Sequence, residues 1–255
     1  MPRRPAGDFD YDAQGAGYRQ HRRTDPRIAG LVRAALGPVT TVCNVGAGAG
    51  SYEPPDLVVT AVEPSASMRA QRPGDRAPAI DARAEELPFA DDCFDAAMAT
   101  ITVHQWADTD RGLRELRRVS RGPVVILTFD GDALERFWLA HYAPEMIAVD
   151  RRRYPAIGHI LEVLEGEGEV LEVPIPIDCV DGFTEALYAR PEWFLETRVR
   201  DAQSAWGFVP PEVTDRSMAQ LRADLASGEW DRRFGHWRRR PEFIGSLRLL
   251  IARPV

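Results

Sequence analysis

The sequence predicts an α/β fold, a mostly parallel sheet with helices on both faces, plus a helical insertion in the C-terminal half. Three observations predict it. Apolar, strand-like runs alternate with helix-period segments through the first 130 residues. A glycine cluster, Gly46-Ala47-Gly48-Ala49-Gly50, stands directly behind the first apolar run. Beyond residue 130 the rhythm gives way to an aromatic, charged, helix-patterned stretch before a last apolar run over 243–252. Strands separated by helices at this density pair in parallel, with right-handed crossovers.

The elements follow in order. Residues 1–24 are polar and glycine-rich, with Tyr11, Tyr18 and the basic run Arg19, Arg22, Arg23. Asp25-Pro26 reads as a helix start, and Ile28, Leu31, Val32 and Leu36 keep helical spacing until Gly37-Pro38 ends it. Residues 39–45 form a buried strand running into the glycine turn. A second strand covers 57–62, a short helix 65–71, a third strand 79–82 and a fourth 94–100. Helix 110–119 and strand 124–129 complete the alternation. Residues 133–141 look helical, 169–177 extended but broken by prolines, and 183–239 mostly helical.

Composition narrows the chemistry. With 44% hydrophobic and 28% charged residues among 255, the chain buries a core, which excludes disorder and collagen-like structure. It has no apolar run of the ~18 residues that mark a membrane helix, and no apolar signal region near its start. Cys43, Cys93 and Cys179 lack CxxC spacing, so a reducing cytoplasm is expected, with no disulfide framework and no metal site. All 32 basic residues are arginine. Without lysine there is neither a Schiff base to pyridoxal phosphate nor a P-loop lysine. A net charge of -7 disfavours nucleic acid and anionic membranes as partners and leaves a small molecule as the expected one. Oligomeric state is left open.

A glycine turn behind a buried strand bends sharply and lets a ligand press against the main chain, with a helix N-terminus expected to follow. Glu63, at the end of the second strand, is placed to accept both hydroxyls of a ribose. Two cofactors compete. NAD calls for GxGxxG, and the register here offers Gly46, Gly48 and then Ser51. S-adenosylmethionine (SAM) is served by the looser GxGxG, because no pyrophosphate has to be cradled.

Four motifs occur in order: Asn44-Val45-Gly46-Ala47-Gly48-Ala49-Gly50; Val62-Glu63-Pro64-Ser65 with Met68; Ala84-Glu85-Glu86-Leu87-Pro88-Phe89 with Phe94-Asp95; and His104-Gln105-Trp106. Through them residues 10–130 resemble the class I SAM-dependent methyltransferases, in the small-molecule branch that includes ubiquinone/menaquinone-biosynthesis-like enzymes. The resemblance implies a Rossmann-like fold and methyl transfer from SAM to O, N or C of a small acceptor by in-line displacement, with S-adenosylhomocysteine as product. It implies one domain over 1–255: a cofactor-binding core at 25–130, a substrate-side region at 130–240 and a final strand at 243–252.

The resemblance also assigns roles. The backbone of Gly46, Ala47, Gly48 and Gly50 lies against the methionine part of the cofactor. Glu63, followed by Pro64, holds the ribose, and Met68 packs near the nucleoside. Arg83 and Ala84 flank adenine, and Glu85 is counted among the cofactor-binding residues. Thr100 and Ile101 offer backbone groups to the amino-acid end, and Tyr18 with Arg22 forms a lid reaching the cofactor carboxylate. Two positions depart from the family: Asn44 replaces a usual acid, weakening a contact to the ammonium, since charge-assisted bonds are about twice as strong. Arg83 replaces a frequent Asp and cannot accept from the adenine amine.

His104 is the candidate general base, and Trp106 and Tyr11 are candidates for cation–π contact with the sulfonium. His141 and Tyr142 are weaker acceptor-side candidates. Tyr188, Trp193, Phe194 and Trp206 are spaced either to wall a pocket or, more in keeping with helical period, to fill a core. An NAD-dependent oxidoreductase and a non-catalytic SAM-binding protein of the same fold are the alternatives.

Overall fold

The computed structural model describes residues 9, 10, 12 and 18–254; Tyr11 lies outside the described residues. A short helix α1 (Tyr18–His21) precedes α2 (Pro26–Leu36). Asp25 caps α2 by accepting from the Arg27 N–H at 3.0 Å, Pro26 takes the first helical position, and Gly37 (φ 72°) ends it. Strands β1 (Thr41–Val45) and β2 (Val58–Val62) lead to helix α3 (Ala66–Ala70), capped by Ser65. Strand β3 (Ala96–Thr100), helix α4 (Thr109–Val119) and strand β4 (Val124–Phe129) follow.

The second half contains α5 (Leu139–Tyr142), α6 (Pro144–Arg153), α7 (Ile157–Leu164), β5 (Glu167–Glu172) and the short β6 (Ile175–Pro176). Helices α8 (Thr197–Asp201), α9 (Pro211–Ser227) and α10 (Glu229–Phe234) precede β7 (Glu242–Phe243) and β8 (Leu247–Arg253). The main sheet runs β2-β1-β3-β4-β8-β5, with β1 to β4 parallel and β8 antiparallel to both of its neighbours.

Side-chain alternation on the strands divides the core into two layers. Ile28, Val32 and Leu36 of α2 pack with Val42, Met98, Val125 and Leu127 on one face. Leu113 and Leu116 of α4 and Ile160 and Leu164 of α7 pack with Cys43, Ala97, Val124 and Ile126 on the other. The first layer continues into the C-terminal half, where Trp138 meets Phe194 and Trp230 edge-on at 5.6 and 5.4 Å. No helix of the described residues is long and apolar enough to cross a membrane.

Several sequence expectations are corrected. No helix follows the glycine turn: residues 46–57 are turns and irregular chain, with Gly50 and Tyr52 at positive φ and Pro54-Pro55 opposing a helix. The strand expected over 79–82 shrinks to one bridge between Ile80 and Val62, at the outer edge of β2 and just after Pro78. The helix over 133–141 divides into a 3₁₀ turn, Gly131–Arg136, and α5. The final strand splits into β7 and β8, because the N–H and hydroxyl of Ser246 turn aside to donate to Glu185.

Candidate active site

β1 lies between β2 and β3, and the chain crosses it to reach β3, so winding reverses there. Ligands bind outside the carboxyl ends of strands at such a reversal. The turn leaving β1 holds Gly46, Gly48 and Gly50 at φ 68°, 52° and 91°. A Cβ at Gly46 would stand 2.2 Å from Thr102 Oγ1, so only glycine fits. Glu63, at the end of β2, reaches across: its Oε2 accepts from the Gly48 N–H and its Oε1 from the Ser65 N–H, both at 2.8 Å. Each oxygen keeps a further lone pair. Burial pushes this carboxyl up, and the two N–H donors pull the other way.

These groups border a cavity of about 300 Å³. The structure brings Tyr18, Gly46, Ala47, Gly48, Glu63, Pro64, Met68, Arg83, Ala84, Glu85, Thr100, Ile101 and Trp106 to its walls. Phe9, Asp10, Asp12 and Thr102 join them without a sequence signal pointing there, as does Gln105 of the fourth motif, which had no role assigned. Asp12 is fastened by the Ser65 hydroxyl (2.6 Å) and Ser67 N–H (2.9 Å), which hold its carboxyl below the usual range. Among the described residues, Asp10, Asp12, Glu63 and Glu85 line the cavity against one cation, Arg83. Such a lining favours a cationic ligand over an anionic one.

The 84–95 motif proves largely structural. Glu115 accepts from the Leu87 N–H at 2.8 Å, and Arg118 donates to the Leu87 and Phe89 carbonyls, which fixes the segment on α4. Gly112 of α4 leaves room for the Trp106 ring, which a Cβ would approach to 2.5 Å. Asp95 accepts from the N–H groups of Thr40 and Thr41 and from the Thr41 hydroxyl, joining the starts of β1 and β3 far from the cavity.

At the end of β3, Ile101 sits at φ 52°, an outlier for a β-branched residue and a mark of local strain. His104 follows in a 3₁₀ turn. It lines not the main cavity but a neighbouring pocket of about 40 Å³, which shares the Tyr18, Ile101 and Gln105 walls. Burial, with Arg153 and Arg22 adding to it, pushes the imidazole well below its ordinary range. Both effects favour the neutral imidazole.

Other expected residues lie elsewhere. Asn44 is fully buried behind the turn and donates to Glu53 Oε1 at 3.0 Å; Arg72 donates to both Glu53 oxygens, also at 3.0 Å. Asn44 faces a closed ion pair, outside the cavity lining. Gly50 also lies outside it. Arg22 donates to Asp181 and lines the smaller pocket. His141 meets Arg233 on the surface, and the Tyr142 hydroxyl donates to Asp224 in the core. Tyr188, Phe194 and Trp206 are core, and Trp193 is exposed under Arg190. Among the described residues no group of His, Cys, Asp or Glu is arranged to hold a metal ion.

Residues 43–127 match the family described as a methyltransferase domain. The matched segment is about one third of the chain. It runs from β1 into β4 and contains the glycine turn, Glu63 and His104. A curated relative, 2-methyl-6-phytyl-1,4-hydroquinone methyltransferase 1 of rice (Oryza sativa subsp. japonica, chloroplastic), is 35% identical over 68 residues, 26% of this chain. The match spans only 20% of that relative's length. Among solved structures, a candidate methyltransferase from an antibiotic biosynthesis pathway of Anabaena variabilis superposes with a TM-score of 0.85 at 28% identity, covering 91% of this chain and 99% of that one. A candidate methyltransferase of Bacillus halodurans (TM-score 0.54, 18% identity, covering 91% and 100%) shares the fold. The matched segment thus supplies the sheet edge on which the cavity is built.

Proposed function

We propose that this chain is an enzyme that transfers a methyl group from SAM to a small-molecule acceptor and releases S-adenosylhomocysteine. The observation that carries the reading is Glu63, held by the Gly48 and Ser65 N–H groups beside a turn whose Gly46 has no room for a Cβ. The residues fit the cofactor. Glu63 would hold the ribose hydroxyls, Ala84 and Arg83 would border adenine, and main-chain groups of Gly46, Thr100 and Ile101 would meet the amino-acid end. Bound SAM supplies an electrophilic methyl group on a sulfonium. The chain's part is to position the acceptor, which in favourable cases lowers a barrier by about 7–11 kcal/mol, and to exclude water.

The acidic lining supports a sulfonium cofactor over NAD, whose pyrophosphate would meet carboxylates and find no helix N-terminus behind the turn. A metabolite acceptor is favoured over nucleic acid by the net charge of -7. The names of the rice and Anabaena relatives also point to small organic acceptors. We read the C-terminal half as part of the same domain, because β5 and β8 extend the sheet, and we place the enzyme in the cytoplasm. Incubation with methyl-labelled SAM and a metabolite pool tests the activity. Label in an organic product is expected; SAM binding with no labelled product from any pool would leave a binding protein instead.

A further inference from the structure

The pocket beside the cavity contains two sealed polar atoms without a partner among the described residues: His104 Nδ1 and Glu185 Oε1. Both side chains are more than nine-tenths buried. Neither is there by accident of packing. Glu185 Oε2 accepts from the Ser246 N–H at 2.8 Å and from its hydroxyl at 2.7 Å, which fixes the carboxyl group. A Cβ on the adjoining Gly245 would come within 2.6 Å of that oxygen, so the chain leaves room for the acid. The Gln105 amide nitrogen donates to His104 Nε2 at 3.3 Å, so the ring proton sits on Nδ1. One lining atom accepts and the other donates, in a volume of about 40 Å³. That holds about three water-sized groups.

We infer that this pocket binds the reacting hydroxyl of an alcohol or phenol acceptor, which donates to Glu185 Oε1 while its oxygen accepts from His104 Nδ1. The inference rests on the methyl-transfer reading and narrows it to oxygen. An oxygen lone pair forms the bond to the methyl carbon, and the pair of the broken sulfur–carbon bond stays on sulfur. The O–H bond breaks with its electrons kept by oxygen and its proton passed to Glu185 Oε1. Burial pushes the Glu185 carboxyl up to about 7, with Ser246 and Arg248 lowering it and Asp150 raising it, so a proton is taken readily near neutrality.

The test needs no turnover. Phenol, which donates and accepts, and anisole, which only accepts, are titrated into the full chain by ligand-observed NMR. Wild type is expected to hold phenol at least tenfold tighter than anisole. In Glu185→Gln the amide oxygen stays with the Ser246 donors and an NH₂ faces the pocket, so the preference falls below twofold. His104→Phe should weaken both probes together. Equal binding of the two probes by wild type, or a preference unchanged in Glu185→Gln, would overturn the inference. Titration of S-adenosylhomocysteine into the same proteins keeps the two readings apart. Its binding without phenol preference sinks the hydroxyl site alone, whereas phenol preference without its binding sinks the methyl-transfer reading.

Discussion

Arg22 Nε donates to Asp181 Oδ1 at 2.7 Å across 159 residues of chain. The Asp181 carboxylate also accepts from the Tyr52 hydroxyl at 2.7 Å and the Gly182 N–H at 2.8 Å. One buried acid thus joins the N-terminal segment, the glycine turn and the C-terminal half. The cation expected to reach a cofactor carboxylate makes its ion pair at this junction.

Removing one partner of such a pair costs about 3–5 kcal/mol, because the other charge is left buried. Arg22→Leu and Asp181→Asn are each expected to lower the urea midpoint strongly. The double variant should lose clearly less than the sum. Additive losses would show that the two residues do not act as a pair.

Two glycines give opposite outcomes. Gly46→Ala places a Cβ 2.2 Å from Thr102 Oγ1 at a positive φ, and should cost about 1–3 kcal/mol along with cofactor affinity. Gly30, inside α2, has nothing within 4 Å of a built Cβ. Gly30→Ala should stabilise by about 0.5–1 kcal/mol, raising Tm by about 1–4 °C in thermal melts.

The Glu185 carboxyl rises from its ordinary 4.5 to about 7 on folding. Below 4.5 both the folded and unfolded chains hold the proton. Between these values the unfolded chain releases it and the folded chain does not, so stability falls as pH rises and levels off above about 7. The loss is of order 3 kcal/mol. Urea unfolding from pH 5 to 8 should show this slope in wild type and a flatter one in Glu185→Gln. Parallel slopes in the two proteins would contradict the assignment.

Burial pushes the His104 imidazole well below its ordinary range, which favours a hydrogen-bond donor over the base the sequence suggested. His104→Phe should leave S-adenosylhomocysteine affinity within about twofold and slow labelled-methyl transfer by about 10–100-fold, the loss of a hydrogen bond to a polar group. The pH profile should keep its shape. A profile that loses a limb would restore His104 as the base.

What could be read beforehand was local. Strand β4 matches its apolar run end to end, and the Asp25-Pro26 cap and the Glu63 position follow from short-range chemistry. The rest depends on partners distant in sequence. Nothing around Arg22 signals Asp181, and nothing around Glu185 signals Ser246, 61 residues later. Asn44 looked like a weakened ligand because Glu53, nine residues on, is hidden in an irregular stretch. Helix α7 was not anticipated because a short apolar run such as Ile157–Leu164 is not separated from a buried strand by periodicity alone, and α6 because its apolar residues stop at Val149, before three arginines.

Calorimetric titration of S-adenosylhomocysteine into wild type and Glu63→Ala, with NAD as a parallel ligand, tests the cavity most directly. Loss of hydrogen bonds to a charged group, about 1.5–3 kcal/mol, predicts a 10–100-fold weaker Kd in the variant at unchanged fold by circular dichroism, and no heat from NAD. An equal Kd in both proteins, or binding of NAD in place of S-adenosylhomocysteine, would contradict it.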